Sequence, residues 1–215
     1  FPTTIDSVAR AVSLIGVREL STLALGISAI NFFKDIPPEL ISMKVFWRHS
    51  LSCAVFGKLI ATRANLPAER FFTAGLLHDA GRLILFKNMP KASTQALLFA
   101  RNNLIPLVDA ENEVMDYDHT TIGKDLLEAW QFPTSLTDII AHHHSPMAAD
   151  TPKDAAVIQL ADNMANAAEI SAGGTFVLPG MDDGAWDLLG LEVKTFKHLF
   201  ADHARNIDEI VNSFL

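Results

Sequence analysis

The chain has 215 residues, of which 49% are hydrophobic and 20% are charged, so it is long and apolar enough for one domain with a substantial core. Its 17 basic and 25 acidic residues give a net charge of −8, which argues against a broad surface for nucleic acid or anionic lipid. A single cysteine excludes a disulfide framework and a zinc site built from thiolates.

Hydrophobic periodicity predicts helices along nearly the whole chain. The first two cover residues 5–15 and 17–33, and a long helix over residues 39–65 follows the Pro37-Pro38 pair. Pro67 suits the first position of the next helix, which is predicted to reach residue 87. Further helices are predicted over residues 91–102, 106–115, 119–131, 134–144, 152–170 and 193–214, with a short turn at 186–189.

Sustained period-2 alternation is missing from the sequence, so we predict an all-α helical bundle with no sheet. We expect one domain over residues 1–215, with a core over 5–170, a loop rich in Gly and Pro at 171–184, and C-terminal helices. The uncharged stretch 171–179 either covers a pocket or links two helices. Because the chain lacks an initiator Met, we expect it to be a piece of a longer protein.

No segment of the sequence resembles a membrane span or a signal peptide. The longest uncharged run in the first half, residues 20–33, has 14 residues, whereas a spanning helix needs roughly 18–20. The opening Phe-Pro-Thr-Thr carries no basic region before an apolar segment. We therefore expect a cytoplasmic protein that binds neither membrane nor nucleic acid.

Histidine is unusually abundant, with eight residues, six of them between His49 and His144. Five predicted helices each carry a His or an Asp on the face that is otherwise apolar. The residues placed in this way are His49, His78, Asp79, His119, His143, His144 and Asp162. A single histidine on an apolar face is usually a hydrogen-bonded core residue. The whole set is different, because buried carboxylates need compensating positive charge and Arg82 is the nearest candidate to supply it.

A divalent cation would compensate all of these side chains at once. The mixture of nitrogen and oxygen donors suits Fe, Mn, Zn, Ni or Co better than Ca or Mg. Because the donors exceed what one ion with an open position can accept, we predict one or two metal ions, with Asp79 as the natural bridge.

Several motifs carry a resemblance to a known superfamily. The central one is Gly75-Leu-Leu-His78-Asp79-Ala-Gly81-Arg82, which resembles the HD metal-dependent phosphohydrolases, named for their adjacent His-Asp pair. The accompanying motifs are Trp47-Arg-His49-Ser, Asp118-His119-Thr-Thr-Ile-Gly123, Trp130-Gln-Phe-Pro133, His143-His144-Ser-Pro146 and Leu160-Ala-Asp162. In this order, with residues 5–16 ahead of them, they resemble the HDOD (HD-related output domain) family over residues 5–170.

The resemblance implies an all-α output domain of bacterial signalling proteins, whose usual N-terminal helical subdomain is missing here. It implies that the four ligands common to HD enzymes are His49, His78, Asp79 and Asp162. It also implies that the additional histidines of the HD-GYP subclass, which hydrolyses cyclic dinucleotides, are His119, His143 and His144. Two departures stand out: the Gly-Tyr-Pro motif of that subclass is missing, and the usual Lys of the HD motif is Arg82.

Three functions remain open from the sequence. The first is a regulatory output domain with a retained metal site, whose partners are other signalling proteins or other domains of the same chain. The second is an active phosphohydrolase or phosphodiesterase acting on a nucleotide or cyclic dinucleotide, with Asp79 and Arg82 as catalytic residues. The third is a purely structural function, in which the metal holds the helices together and takes part in no chemistry. Outside the site, we expect His198 and His203 at the surface and His142 as an exposed neighbour of the site.

Overall fold

The computed structural model describes residues 40–168 and 180–214, together with positions 24, 28, 29, 32, 33, 36, 38 and 177. All regular structure in this part of the chain is helical, which confirms the predicted all-α class. The helices are α1 (Met43–Arg63), α2 (Ala68–Leu77), α3 (Ala80–Asn88), α4 (Pro90–Asn103), α5 (Leu107–Met115), α6 (His119–Ala129), α7 (Thr134–His142), α8 (Pro152–Ala168), α9 (Asp183–Leu189) and α10 (Lys194–Phe214), with a 3₁₀ turn at Pro146–Ala148.

Some sequence predictions cannot be compared with the structure. The helix predicted over 5–15, and nearly all of the one over 17–33, lie outside the described residues, as does most of the stretch 171–179. Among the described helices, none is long and apolar enough to cross a membrane.

Helix α1 is the centre of the fold, packing against α2, α8 and α10. It is apolar on most of its circumference, with Phe46, Leu51, Phe56 and Ile60 all buried, as is typical of a helix enclosed by others. Its N-terminus is capped by the Ser42 hydroxyl, which accepts a hydrogen bond from the amide of Val45. The enclosure of α1 places its polar residues in the interior as well.

The helix predicted from residue 67 to 87 is wrong as one continuous helix, because the chain breaks at His78 and Asp79. Helix α2 ends at Leu77 and α3 begins at Ala80, with Asp79 at φ −98° and ψ 8°. Hydrophobic periodicity continues across the break and no proline marks it, so the sequence carries no signal of a helix end. The break presents the His-Asp pair at a corner between two helices.

Glycines allow two close helix contacts beside this corner. A Cβ added to Gly75 would lie 2.6 Å from the backbone nitrogen of Ala54 in α1. A Cβ added to Gly81 would lie 2.0 Å from the carbonyl oxygen of His119 and 2.6 Å from the nitrogen of Gly123. All three distances are far below van der Waals contact. The close approach of α2 to α1, and of α3 to α6, therefore requires a residue without a Cβ at these two positions.

The C-terminal region departs from the sequence predictions at two points. The predicted turn at 186–189 is part of helix α9, which begins at Asp183 and packs against α8. His198 is exposed as predicted, but the prediction that His203 lies at the surface is wrong. His203 is buried, stacks on the ring of Phe56 at 4.0 Å, and shares a 2.6 Å hydrogen bond with the Ser52 hydroxyl. It belongs to the interface through which α10 packs on α1.

Replacing His203 with alanine is expected to destabilise the protein by about 2 kcal/mol, because the stacking on Phe56 is lost and the buried Ser52 hydroxyl loses a partner. Urea denaturation followed by circular dichroism measures this loss. The exposed His198→Ala on the same helix is the control and should change stability by less than about 0.5 kcal/mol. Equal effects of the two variants would contradict the packing role of His203.

Candidate metal centre

The structure brings all the predicted metal-ligating residues to one place. His49 comes from α1, the His78-Asp79 pair from the corner between α2 and α3, and His119 from the first position of α6. His143 and His144 directly follow α7, and Asp162 lies on α8. Six of these residues are at most 5% exposed, and His144 is partly exposed. The donors therefore converge from separate parts of the chain in the interior.

Two groups of donor atoms, each compact enough for one ion, share Asp79. One consists of Asp79, His119, His143 and His144, and the other of His49, His78 and Asp79, with the donor atoms of each group within 4.8 Å of one another. In the first group, His119 Nε2 lies 3.3 Å from Asp79 Oδ1 and 3.1 Å from His144 Nε2. In the second, His78 Nε2 lies 3.5 Å from Asp79 Oδ2. Asp79 thus stands between the groups with one oxygen towards each.

Asp162 adds a second carboxylate beside His49 and His78. Its Oδ1 lies 3.0 Å from His49 Nε2 and 3.7 Å from His78 Nε2. The same oxygen accepts a 2.8 Å hydrogen bond from the side-chain amide of Asn166, one turn along α8. Asp162 is therefore held in place within α8 while it faces the histidines.

Two of the histidines are oriented by backbone carbonyl groups. Nδ1 of His78 lies 2.7 Å from the Gly75 oxygen, and Nδ1 of His143 lies 2.8 Å from the Ile140 oxygen. Each Nδ1 must carry a hydrogen to donate to a carbonyl, so in the neutral ring, the form that binds metal, each Nε2 has a free lone pair. Both Nε2 atoms are buried without a hydrogen-bond partner among the described residues. Buried polar atoms are rarely left unpaired, and a cation would satisfy both.

Arg82 lies at the edge of the centre and is engaged with Asp79. Its Nη1 donates a 2.6 Å hydrogen bond to Asp79 Oδ2, and both side chains are buried. Arg82 therefore neutralises part of the carboxylate charge within the fold.

Sequence reasoning missed one buried carboxylate, that of Glu111 on α5. Glu111 is 2% exposed, and its Oε2 lies 2.5 Å from His119 Nδ1 and 2.9 Å from the His119 backbone nitrogen. The sequence does carry a signal for the burial of Glu111. This residue follows Ala110 and lies one turn after Leu107, on the apolar side of α5. Glu111 lies outside every motif quoted above for the family resemblance. Cys53, which is also buried, belongs to neither donor group.

The electrostatics of the centre without a cation draw protons onto two of the histidines. Burial by itself lowers the pKa of His78, but Cys53, Asp79 and Asp162 outweigh burial and raise that pKa well above its ordinary value. Burial also opposes protonation of His119, whereas Glu111 and Asp79 raise the pKa of His119. Protons on these rings supply positive charge that the carboxylates require.

Three other groups of the centre, His143, His144 and Asp79, are held in the forms that bind metal. Burial, with the positive charges of His78 and His119, lowers the pKa of His143 to about 3. Burial and the neighbouring histidines likewise hold the pKa of His144 well below its ordinary value. Burial alone would raise the pKa of Asp79, but Arg82, His78 and His119 hold that pKa well below the usual range. His143 and His144 are therefore neutral and Asp79 is ionised.

These residues fit a divalent cation. Asp79, Asp162 and Glu111 bring three negative charges into the interior and Arg82 brings one positive charge. With neutral imidazoles two negative charges remain, which one divalent ion balances. The donor set is nitrogen and oxygen, as first-row transition metals accept.

The centre borders a small cavity and a wider groove. The cavity, of about 20 Å³, lies between His49, Asp79, His119, His144 and Asp162 and is large enough for about one water molecule or an ion. The groove has a volume of about 280 Å³ and shares Val108 and His144 with the cavity. Among the residues that the structure describes, the groove is lined by Pro106, Val108, Asp109, Asp118, Thr120, His144, Ser145 and Gly180. Its charged side chains are carboxylates.

An all-helical domain with a buried His-Asp cluster of this kind belongs to the class of HD-type domains. The HDOD domain model matches residues 1–146, and the chain belongs to the HDOD family. The matched residues end before Asp162, which lies beside His49 in the folded structure. None of the curated proteins matches this sequence.

Solved structures share the fold at low sequence identity. An HDOD domain protein of unknown function from Geobacter sulfurreducens is 23% identical, with a TM-score of 0.76 over 99% of this chain and 75% of that one. A candidate phosphohydrolase from Shewanella amazonensis is 21% identical, with a TM-score of 0.75 over 98% and 78%. A candidate signal-transduction protein from Marinobacter aquaeolei is 21% identical, with a TM-score of 0.77 over 99% of this chain but only 49% of that one.

Proposed function

We propose that this chain is a metal-binding output domain of a bacterial signalling protein. The observation that carries the proposal is the pair of donor groups that share Asp79 in the interior. Family membership and the similarity in fold to a candidate signal-transduction protein support the signalling role. About half of that protein lies outside the part that matches this chain, as expected for an output domain that is joined to other domains. The partners are then other signalling proteins or domains of the same chain.

The ligands in this proposal are the seven residues predicted from the sequence, and their convergence in the interior supports it. They are His49, His78, Asp79, His119, His143, His144 and Asp162. They would hold one or two divalent ions of Fe, Mn, Zn, Ni or Co. A divalent ion bound there would be able to lower the pKa of a water molecule and to polarise a phosphoryl oxygen.

The charges around the centre favour an output domain over a phosphohydrolase. Asp109 and Asp118 line the groove beside His144 and would repel a phosphate. Arg82, the basic residue that could hold phosphate, is bound to Asp79. A phosphate-containing substrate would have to be attracted by the bound cation and by Arg82, whose charge Asp79 partly neutralises, against the net charge of −8.

The alternative is an active metal-dependent phosphohydrolase acting on a nucleotide or cyclic dinucleotide. It is favoured by the groove of about 280 Å³ that reaches His144, a size near the lower end of small-molecule sites. In this alternative Asp79 would act as a metal-holding catalytic residue. Arg82, which is bound to Asp79 and lines the small cavity, would be the second catalytic residue and would steady the charge that develops on the phosphoryl group.

Metal analysis of protein purified without a His-tag tests the shared basis of both functions. We expect about one or two transition-metal ions per chain after anaerobic preparation. The double variant His78→Ala/Asp79→Ala should lose them, whereas the exposed His198→Ala should keep them. A metal content below about 0.2 per chain under both aerobic and anaerobic preparation would exclude the metal centre.

Hydrolysis assays then separate the two functions. Cyclic dinucleotides and nucleoside phosphates are incubated with the metal-loaded protein in the presence of Mn²⁺ or Fe²⁺. The output-domain proposal predicts no turnover above that of the His78→Ala/Asp79→Ala variant. Turnover that requires His78 and Asp79 would favour the phosphohydrolase instead.

A further inference from the structure

Glu111 is a buried acidic residue whose contacts are concentrated on one histidine of the metal centre. Its Oε2 accepts hydrogen bonds from the backbone nitrogen of His119, at 2.9 Å, and from the ring Nδ1, at 2.5 Å. Glu111 is 2% exposed and His119 is 2% exposed. One carboxylate oxygen therefore fixes both the start of helix α6 and the orientation of the ring.

A carboxylate at this position is costly for the fold, because burying an ionised group without compensation costs several kcal/mol. Helix capping alone does not require it, since Asp118 caps α6 by accepting hydrogen bonds from the amides of Thr120 and Thr121. The additional contact that Glu111 makes is the one to the ring of His119. Its burial is therefore best explained by what it does to that ring.

The contact determines which nitrogen of His119 faces the centre. A carboxylate only accepts hydrogen bonds, so Nδ1 must carry the hydrogen and Nε2 of the neutral ring has a free lone pair. That Nε2 lies 3.3 Å from Asp79 Oδ1 and 3.1 Å from His144 Nε2. His78 and His143 are oriented by uncharged carbonyl groups instead, so the ionised partner sets His119 apart from them.

We propose that Glu111 is a positioning residue of the metal centre. It holds His119 with hydrogen on Nδ1 and strengthens Nε2 as a ligand for a divalent cation bound with Asp79, His143 and His144. A carboxylate behind a metal-bound histidine raises the basicity of the ring, and loss of such a partner typically weakens metal binding by about 10–100-fold. The inference rests on the proposed function, because it requires that this group of donors binds metal.

Cobalt titration of the Glu111→Gln variant tests the inference. Glutamine keeps the size of the side chain and an acceptor oxygen but removes the negative charge. We expect Co²⁺ affinity to fall about 10-fold or more and the visible absorption bands of bound Co²⁺ to shift, because His119 becomes a weaker ligand. Asp154→Asn, which neutralises another buried carboxylate paired with Arg70, is the matched control and should change neither.

The outcomes separate this inference from the proposed function. Wild-type binding with unchanged affinity and spectrum in Glu111→Gln would overturn the role of Glu111 and leave the metal centre intact. Failure of the wild-type protein to bind Co²⁺ would overturn both.

A second measurement uses only the wild-type protein, in case Glu111→Gln does not fold. Long-range ¹H–¹⁵N NMR of the Zn²⁺-loaded protein should show His119 with hydrogen on Nδ1 and metal on Nε2. Metal on Nδ1, or hydrogen on Nε2, would overturn the inference.

Discussion

Replacing Asp79 with asparagine is expected to reduce the metal content at least about 10-fold and to destabilise the fold by about 3 kcal/mol. The first effect follows because Asp79 belongs to both donor groups, so that each would lose a carboxylate ligand. The second follows because the buried Arg82 would lose its 2.6 Å hydrogen bond to a carboxylate, and breaking a buried ion pair on one side leaves an uncompensated charge. Metal analysis and urea denaturation measure the two effects separately.

The double variant Asp79→Asn/Arg82→Met separates stability from metal binding. It removes both members of the buried pair, so we expect much of the lost stability to return, as replacement of a whole buried pair is often nearly neutral. Metal binding should stay low, since the carboxylate is still missing. Wild-type metal content in Asp79→Asn would exclude Asp79 as a ligand.

Replacing Gly81 with alanine is expected to destabilise the protein by about 3 kcal/mol or more, because one added methyl group has no space. The new Cβ would lie 2.0 Å from the carbonyl oxygen of His119, and this is a backbone atom that cannot rotate away. Helices α3 and α6 must then move apart, which separates Asp79 from His119, now 3.3 Å apart. Denaturation and Co²⁺ titration should both show the loss.

Gly180→Ala is the matched control for this substitution, since a Cβ at Gly180 would meet no heavy atom of the described residues within 4 Å. We expect its stability to remain within about 0.5 kcal/mol of the wild type. Wild-type stability in Gly81→Ala would show that α3 and α6 are less closely packed than the structure has them.

Much of the fold could be predicted from the sequence because most of its helices have local signals. Pro90 begins α4, which ends at Asn103, one residue beyond the predicted end. Asp118 caps α6 with its side chain, and an apolar face continues through the helix. The break at His78 and Asp79 could not be predicted, because its local sequence is compatible with an uninterrupted helix. The break becomes evident only from the tertiary structure, in which α2 packs against α1 and α3 packs against α6.

The same difference between local sequence signals and packing between helices applies to the candidate site. A His or an Asp on an apolar face is visible in the sequence, so His49, His78, Asp79, His119, His143, His144 and Asp162 could be singled out. His203 was missed because its partner, Ser52, is 151 residues away in the sequence. The partner of Glu111, His119, is only eight residues away, but it lies on the next helix, and no periodicity within one helix relates the two.

The sequence by itself determined the all-helical class, the family and the residue types of the centre, because periodicity and motifs are local properties of the chain. Only the tertiary structure decided that Asp79 stands between two donor groups and that Glu111 lies behind His119. These relations depend on distances between helices, which are set by the close contacts at Gly75 and Gly81. Such packing involves residues far apart in the chain, so no local pattern encodes it.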